Sequence, residues 1–100
     1  MRISVQDQKA IRETAEELFG KNVKIILFGS RVYDAERGGD IDILLESPEP
    51  VSEILKKKIS FLVKLKQRIG DRKIDVLVQG KDSEDKAIYK VAHREGIEIG

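Results

Sequence analysis

Apolar residues near the start of the chain recur as Ile11, Ala15, Leu18 and Phe19, at i, i+4, i+7 and i+8, a spacing that predicts an amphipathic helix. Ser4 and Asp7 stand where an N-cap and its third-residue acid belong, and Gly20 is placed to stop the helix. The run Val23-Lys24-Ile25-Ile26-Leu27-Phe28 is short, apolar and β-branched, and it ends abruptly at Gly29, as a buried strand does. A second strand is expected over residues 40–46, after a loop containing Gly38 and Gly39. Pro48 and Pro50 break the chain before a long helix over residues 51–69, with an expected inner face of Val51, Leu55, Ile59, Leu62 and Ile69 and a stop at Gly70. Residues 73–79 read as a third strand. The last helix is expected over about residues 83–94, capped by Asp82 or Ser83, with Ala87, Ile88, Val91 and Ala92 turned inward. Ile97-Glu98-Ile99 suits a short edge strand. The order α-β-β-α-β-α, with no repeat or linker, describes an α/β (α+β) fold, a small mixed β-sheet with helices packed on it, in a single domain spanning residues 1–100.

Composition narrows this picture more than it changes it. One hundred residues, 40% of them hydrophobic, can bury one core but not two, so the chemistry must fit on one sheet and a few helices. With 37% charged residues and two prolines, an ordered globular chain is expected. The net charge of +1 conceals an asymmetry: residues 1–50 carry 7 Lys/Arg against 10 Asp/Glu, and residues 51–100 carry 12 against 8. Much of the excess lies on Lys56, Lys57, Lys58, Lys64, Lys66 and Arg68, which suits attraction of nucleic acid or an acidic partner and equally suits a solvated helix face. The absence of cysteine excludes disulfides and thiolate metal sites and fits a reducing cytoplasm. No apolar run approaches the ~20 residues that span a bilayer, and the first residues lack the apolar stretch of a secretory leader. A cytoplasmic protein without a membrane partner is expected.

Three acids change the picture. Side chains alternate along a strand, so Asp40 and Asp42 share one face while Ile41, Ile43 and Leu45 take the core face and fix the register. Carboxylates at i and i+2, roughly 7 Å apart at ~3.3 Å rise per residue, repel unless a cation lies between them. Asp75 likewise stands opposite Ile74, Val76 and Val78, and converges with the other two if its strand lies beside theirs. All-oxygen ligation suits Mg2+ or Mn2+, and a pair of such ions clamps the attacking and leaving oxygens in nucleotidyl transfer. Gly29 and Ser30 directly after a buried strand allow backbone N–H groups to approach a phosphate, with Arg31 available for charge-assisted bonds. Each of these features alone also describes a strand with one wet face or an ordinary strand-to-turn junction.

Jointly they are more specific. An apolar strand, Gly29-Ser30-Arg31, Asp40-Ile41-Asp42-Ile43-Leu44 beginning nine positions after Arg31, and a later Ile74-Asp75-Val76-Leu77 strand resemble the minimal nucleotidyltransferase family of the DNA polymerase β superfamily, over nearly the whole chain. The resemblance implies that Gly29 and Ser30, with Arg31, grip a nucleoside triphosphate. It implies too that Asp40 and Asp42 bind two Mg2+ ions, and that Asp75 ligates one of them and polarises the acceptor hydroxyl. The implied reaction is attack of a hydroxyl on the α-phosphate of ATP or another NTP, with release of pyrophosphate. Gly39 and Tyr33 depart from the residues common in relatives at those places, without removing a ligand.

Relatives of this size are commonly paired with a HEPN-domain protein in toxin–antitoxin systems, some transferring AMP to a tyrosine of that partner. The resemblance therefore implies an acceptor on another protein, towards which the basic helix could face. The alternative is a binding module that neutralises its partner sterically without turnover. Scarce aromatic residues and a near-zero charge balance argue against direct nucleic-acid binding, and homo-oligomerisation stays open. His93 reads as a surface residue near a helix end, and Tyr33 and Tyr89 as packing residues.

Overall fold

The structure is a computed structural model and describes residues 4–28, 41–70, 73–83 and 86–99. Helix α1 (Val5–Phe19) starts where Ser4, in extended conformation, accepts a hydrogen bond from the Asp7 backbone N–H at 3.0 Å, the cap expected from the sequence. Strand β1 (Lys24–Phe28) follows, then β2 (Ile41–Glu46), α2 (Val51–Ile69), β3 (Ile74–Gln79), α3 (Ala87–Glu95) and the two-residue β4 (Ile97–Glu98). Gly20 and Gly70 end α1 and α2 at positive φ, 86° and 96°, where a Cβ would be strained.

The sheet order is β3-β2-β1-β4. Strand β1 runs antiparallel to both β2 and β4, whereas β2 and β3 are parallel and joined by α2 as crossover. The expected α+β fold and element order hold, including the final edge strand. One sheet face carries Ile25, Leu27, Ile41, Ile43, Leu45, Ile74 and Val76, and α1 and α2 close over it with Ile11, Ala15, Phe19, Ile54, Phe61 and Leu65. Phe19 and Phe61 meet at a centroid distance of 6.1 Å, tilted by 55°. Arg68 ties the two helices together: its guanidinium donates to the buried Thr14 Oγ1 and to Glu17 Oε1, each at 2.8 Å.

The inner face of α2 differs from the expected one. Ile54, Phe61 and Leu65 are buried; Leu62 and Ile69 pack on the core's margin, whereas Leu55 and Ile59 face solvent. The helix carries two apolar stripes about 140° apart at 3.6 residues per turn, and periodicity alone does not choose between them. Contact with α1 makes the choice, because the stripe holding Phe61 is the one that meets Phe19. On α3 the inward residues are Tyr89 and Ala92, which meet Ile26 and Leu44 of the sheet, whereas Ala87 and Ile88, expected to face inward, are exposed.

The opposite sheet face is covered by α3, which lays Tyr89 and Ala92 on Ile26 and Leu44. Gly96, between α3 and β4, lets these elements approach: a Cβ there would collide with the Ala92 carbonyl and the Ile26 side chain.

Candidate functional site

Strand register sorts the α3-covered face into three rows. Phe28, Asp42 and Asp75 lie side by side at one end; Ile26, Leu44 and Leu77 form the middle; Lys24, Glu46 and Gln79 form the other end. Alternation fixes this arrangement, since Ile41, Ile43, Ile74 and Val76 are buried on the far side of the same strands. The middle row is apolar and accounts for where α3 sits. Tyr89 Oη donates to the Val78 carbonyl at 3.0 Å, and His93 Nε2 lies 3.1 Å from Gln79 Oε1 and 3.9 Å from Glu46 Oε1. Both α3 contacts lie towards the Gln79 end, and the acid row is left at the opposite one. His93 thus sits in the last turn of α3, as expected, and Tyr89 is a core residue.

Asp42 and Asp75 are direct partners in the parallel register of β2 and β3, about one strand spacing (~4.8 Å) apart at the backbone. Asp42 is half-buried and Asp75 exposed. The adjacency of strands on which the sequence argument for Asp75 depended is therefore present. Two carboxylates so placed offer hard oxygen donors suited to Mg2+ or Mn2+ rather than to softer metals. Among the described residues no third Asp, Glu, His or Cys joins them. The third expected acid, Asp40, and the expected phosphate-gripping residues Gly29, Ser30 and Arg31 lie outside the described residues. Their described chain neighbours flank the acid pair: Phe28 is the β1 partner of Asp42, and Ile41 precedes it.

Other polar groups serve the scaffold. Asp82, one of the two residues expected to cap the last helix, instead caps α2: its Oδ1 accepts from the Val51 backbone N–H at 2.8 Å, across 31 positions. Ser83 Oγ accepts from the Gly80 N–H at 2.8 Å, and Lys86 occupies the cap position of α3. No sequence signal marks the Asp82 contact, because it depends on β3 returning beside the start of α2. Concavities of about 340 Å3, lined by Asn22, Lys24, Glu46, Ser47 and Lys81, and about 390 Å3, lined by Val51, Asp82, Ser83, Lys86 and Tyr89, contain neither acid of the pair. No described helix is long and apolar enough to cross a membrane.

The lysines of α2 are largely committed on one flank: Lys57 pairs with Glu49 at 3.6 Å, and Lys64 and Arg68 pair with Glu17 at 3.9 and 2.8 Å. Hydrogen bonding by Arg68, aided by the positive charges of Arg68 and Lys64, holds the Glu17 carboxyl below its ordinary pKa.

Comparison with curated proteins finds none that matches the chain. A family model described as a nucleotidyltransferase domain matches residues 9–99.

Proposed function

Because the chain belongs to the nucleotidyltransferase domain family, we propose that it transfers a nucleoside monophosphate, AMP from ATP, to a tyrosine hydroxyl of a HEPN-domain toxin and acts as that toxin's antitoxin. The observation that carries the reading is the in-register pairing of Asp42 with Asp75 on one face of the sheet, at the end where β1 stops and β2 begins. In this reading Gly29, Ser30 and Arg31 hold the triphosphate, and Asp40, Asp42 and Asp75 are the catalytic carboxylates. The acceptor oxygen forms a bond to the α-phosphorus as the bond to the bridging oxygen breaks and pyrophosphate leaves. The acceptor's proton passes to Asp75, which is exposed and reachable by a large partner. Asp40, Asp42 and Asp75 would hold Mg2+, which when bound neutralises charge on the phosphates. The exposure of Asp75 suits an acceptor carried on another protein, because the partner itself can exclude water from the site.

The test is to incubate the chain with a HEPN-domain protein, ATP and Mg2+ and to weigh the partner. An AMP-sized gain on a tyrosine is expected, lost in Asp42→Asn and Asp75→Asn. A partner neutralised equally well by both folded variants, with no mass gain, would assign the protein to steric inhibition instead.

A further inference from the structure

Helix α2 has a flank that the fold does not use. Leu55, Ile59 and Val63 recur at i, i+4 and i+8 and are 48%, 73% and 51% exposed, an apolar stripe about 12 Å long at 1.5 Å per residue. Helical geometry puts them on the side of α2 away from Arg68 and Lys64, hence away from α1. Lys66 projects within the same stripe and Lys58 borders it. Among the described residues neither meets an acid, whereas Lys57, Lys64 and Arg68 on the opposite flank are paired with this chain's own glutamates. The helix therefore separates its charges: one flank is neutralised internally, and the other presents an apolar strip on which Lys58 and Lys66 are uncompensated, while Lys56 at its rim is already paired with Glu53 at 3.3 Å.

We propose that this flank docks an acidic amphipathic helix of a partner protein, whose apolar side chains cover Leu55, Ile59 and Val63 and whose carboxylates reach Lys58 and Lys66. Charge decides among occupants. A second copy packed about a two-fold axis would bring the same lysines to the interface without a counter-charge, since an isologous contact repeats one surface. An acid-bearing helix supplies both the apolar ridge and the missing charges, in the manner of helix-in-groove recognition. The surface is distinct from the Asp42 and Asp75 row, which lies on the other side of the sheet, so docking here does not depend on the transfer reaction.

The experiment titrates the isotopically labelled chain with a stapled helical peptide carrying leucines at i, i+4 and i+7 bordered by glutamates, and with its twin in which lysine replaces each glutamate. The glutamate peptide is expected to shift the amides of Leu55, Ile59, Val63 and Lys66 and to bind about tenfold tighter than its twin, with affinity falling as salt rises. Ile59→Asp and the Lys58→Glu, Lys66→Glu double variant should lose this binding while keeping the parent circular dichroism spectrum, since all three positions lie outside the core. Equal binding of both peptides, or shifts confined to other surfaces, would overturn the proposal. So would concentration-dependent dimerisation through Ile59, or preferential binding to phosphatidylglycerol vesicles, which would assign the flank to a second copy or to a lipid surface.

Discussion

At the scale of single residues, the acid pair and the close-packed positions make opposite demands. Asp42 and Asp75 stand side by side although aspartate is poor in strands and like charges at one strand spacing repel. Removing one charge should therefore leave the fold intact or slightly firmer while weakening the proposed chemistry. Asp42→Asn is expected to keep the parent melting temperature within a few degrees and to lower nucleotidyl transfer at least about 100-fold, beyond the loss typical of groups that only support a metal ligand. Activity and melting curves on the same preparation check both parts. Gly96 behaves differently: the Ala92 carbonyl and the Ile26 side chain occupy the space of a Cβ. Gly96→Ala should destabilise the protein by about 1–3 kcal/mol, read from urea unfolding, because α3 must lift from β1 to admit one methyl group.

Elements show which parts of the structure were legible beforehand. Strand positions were clear because β2 and β3 each have one face of Ile, Val and Leu, so alternation fixed which way Asp42 and Asp75 point. The cap at Ser4 was clear because it depends on residues three apart. The inner face of α2 was not, since Leu55, Ile59 and Val63 compete with Ile54, Phe61 and Leu65 as an apolar stripe and only the partner helix decides. The Asp82 cap was hidden for a related reason, being a contact between distant segments. Phe61→Ala should accordingly cost about 3–5 kcal/mol in urea unfolding, and Ile59→Ala far less, a contrast opposite to the one hydropathy alone predicts. The Arg68 to Glu17 clamp adds a pH signature. Because the folded state holds the Glu17 carboxyl below its ordinary pKa, its contribution is present above about pH 4.5 and disappears as pH falls through the lower folded value. The stability difference between the parent and Glu17→Gln, measured by urea unfolding across pH, should be present at neutral pH and vanish in acid.

For the described residues taken together, a four-stranded sheet has one face closed by α1 and α2 and the other met by the short α3. On the α3 side Asp42 is half-buried and Asp75 exposed, so the pair has one carboxylate within reach of something as large as another protein. The crossover that makes β2 and β3 parallel has a kinetic consequence. Asp42 and Asp75 are 33 positions apart, and they become neighbours only once the intervening chain has returned across the sheet. The pair is a non-local contact that must wait for loop closure, whereas α1 and α2 can begin to form from local contacts alone. On the ribosome the acid pair cannot assemble until β3 has left the exit tunnel, so a nascent or truncated chain lacking β3 would carry Asp42 without its counterpart.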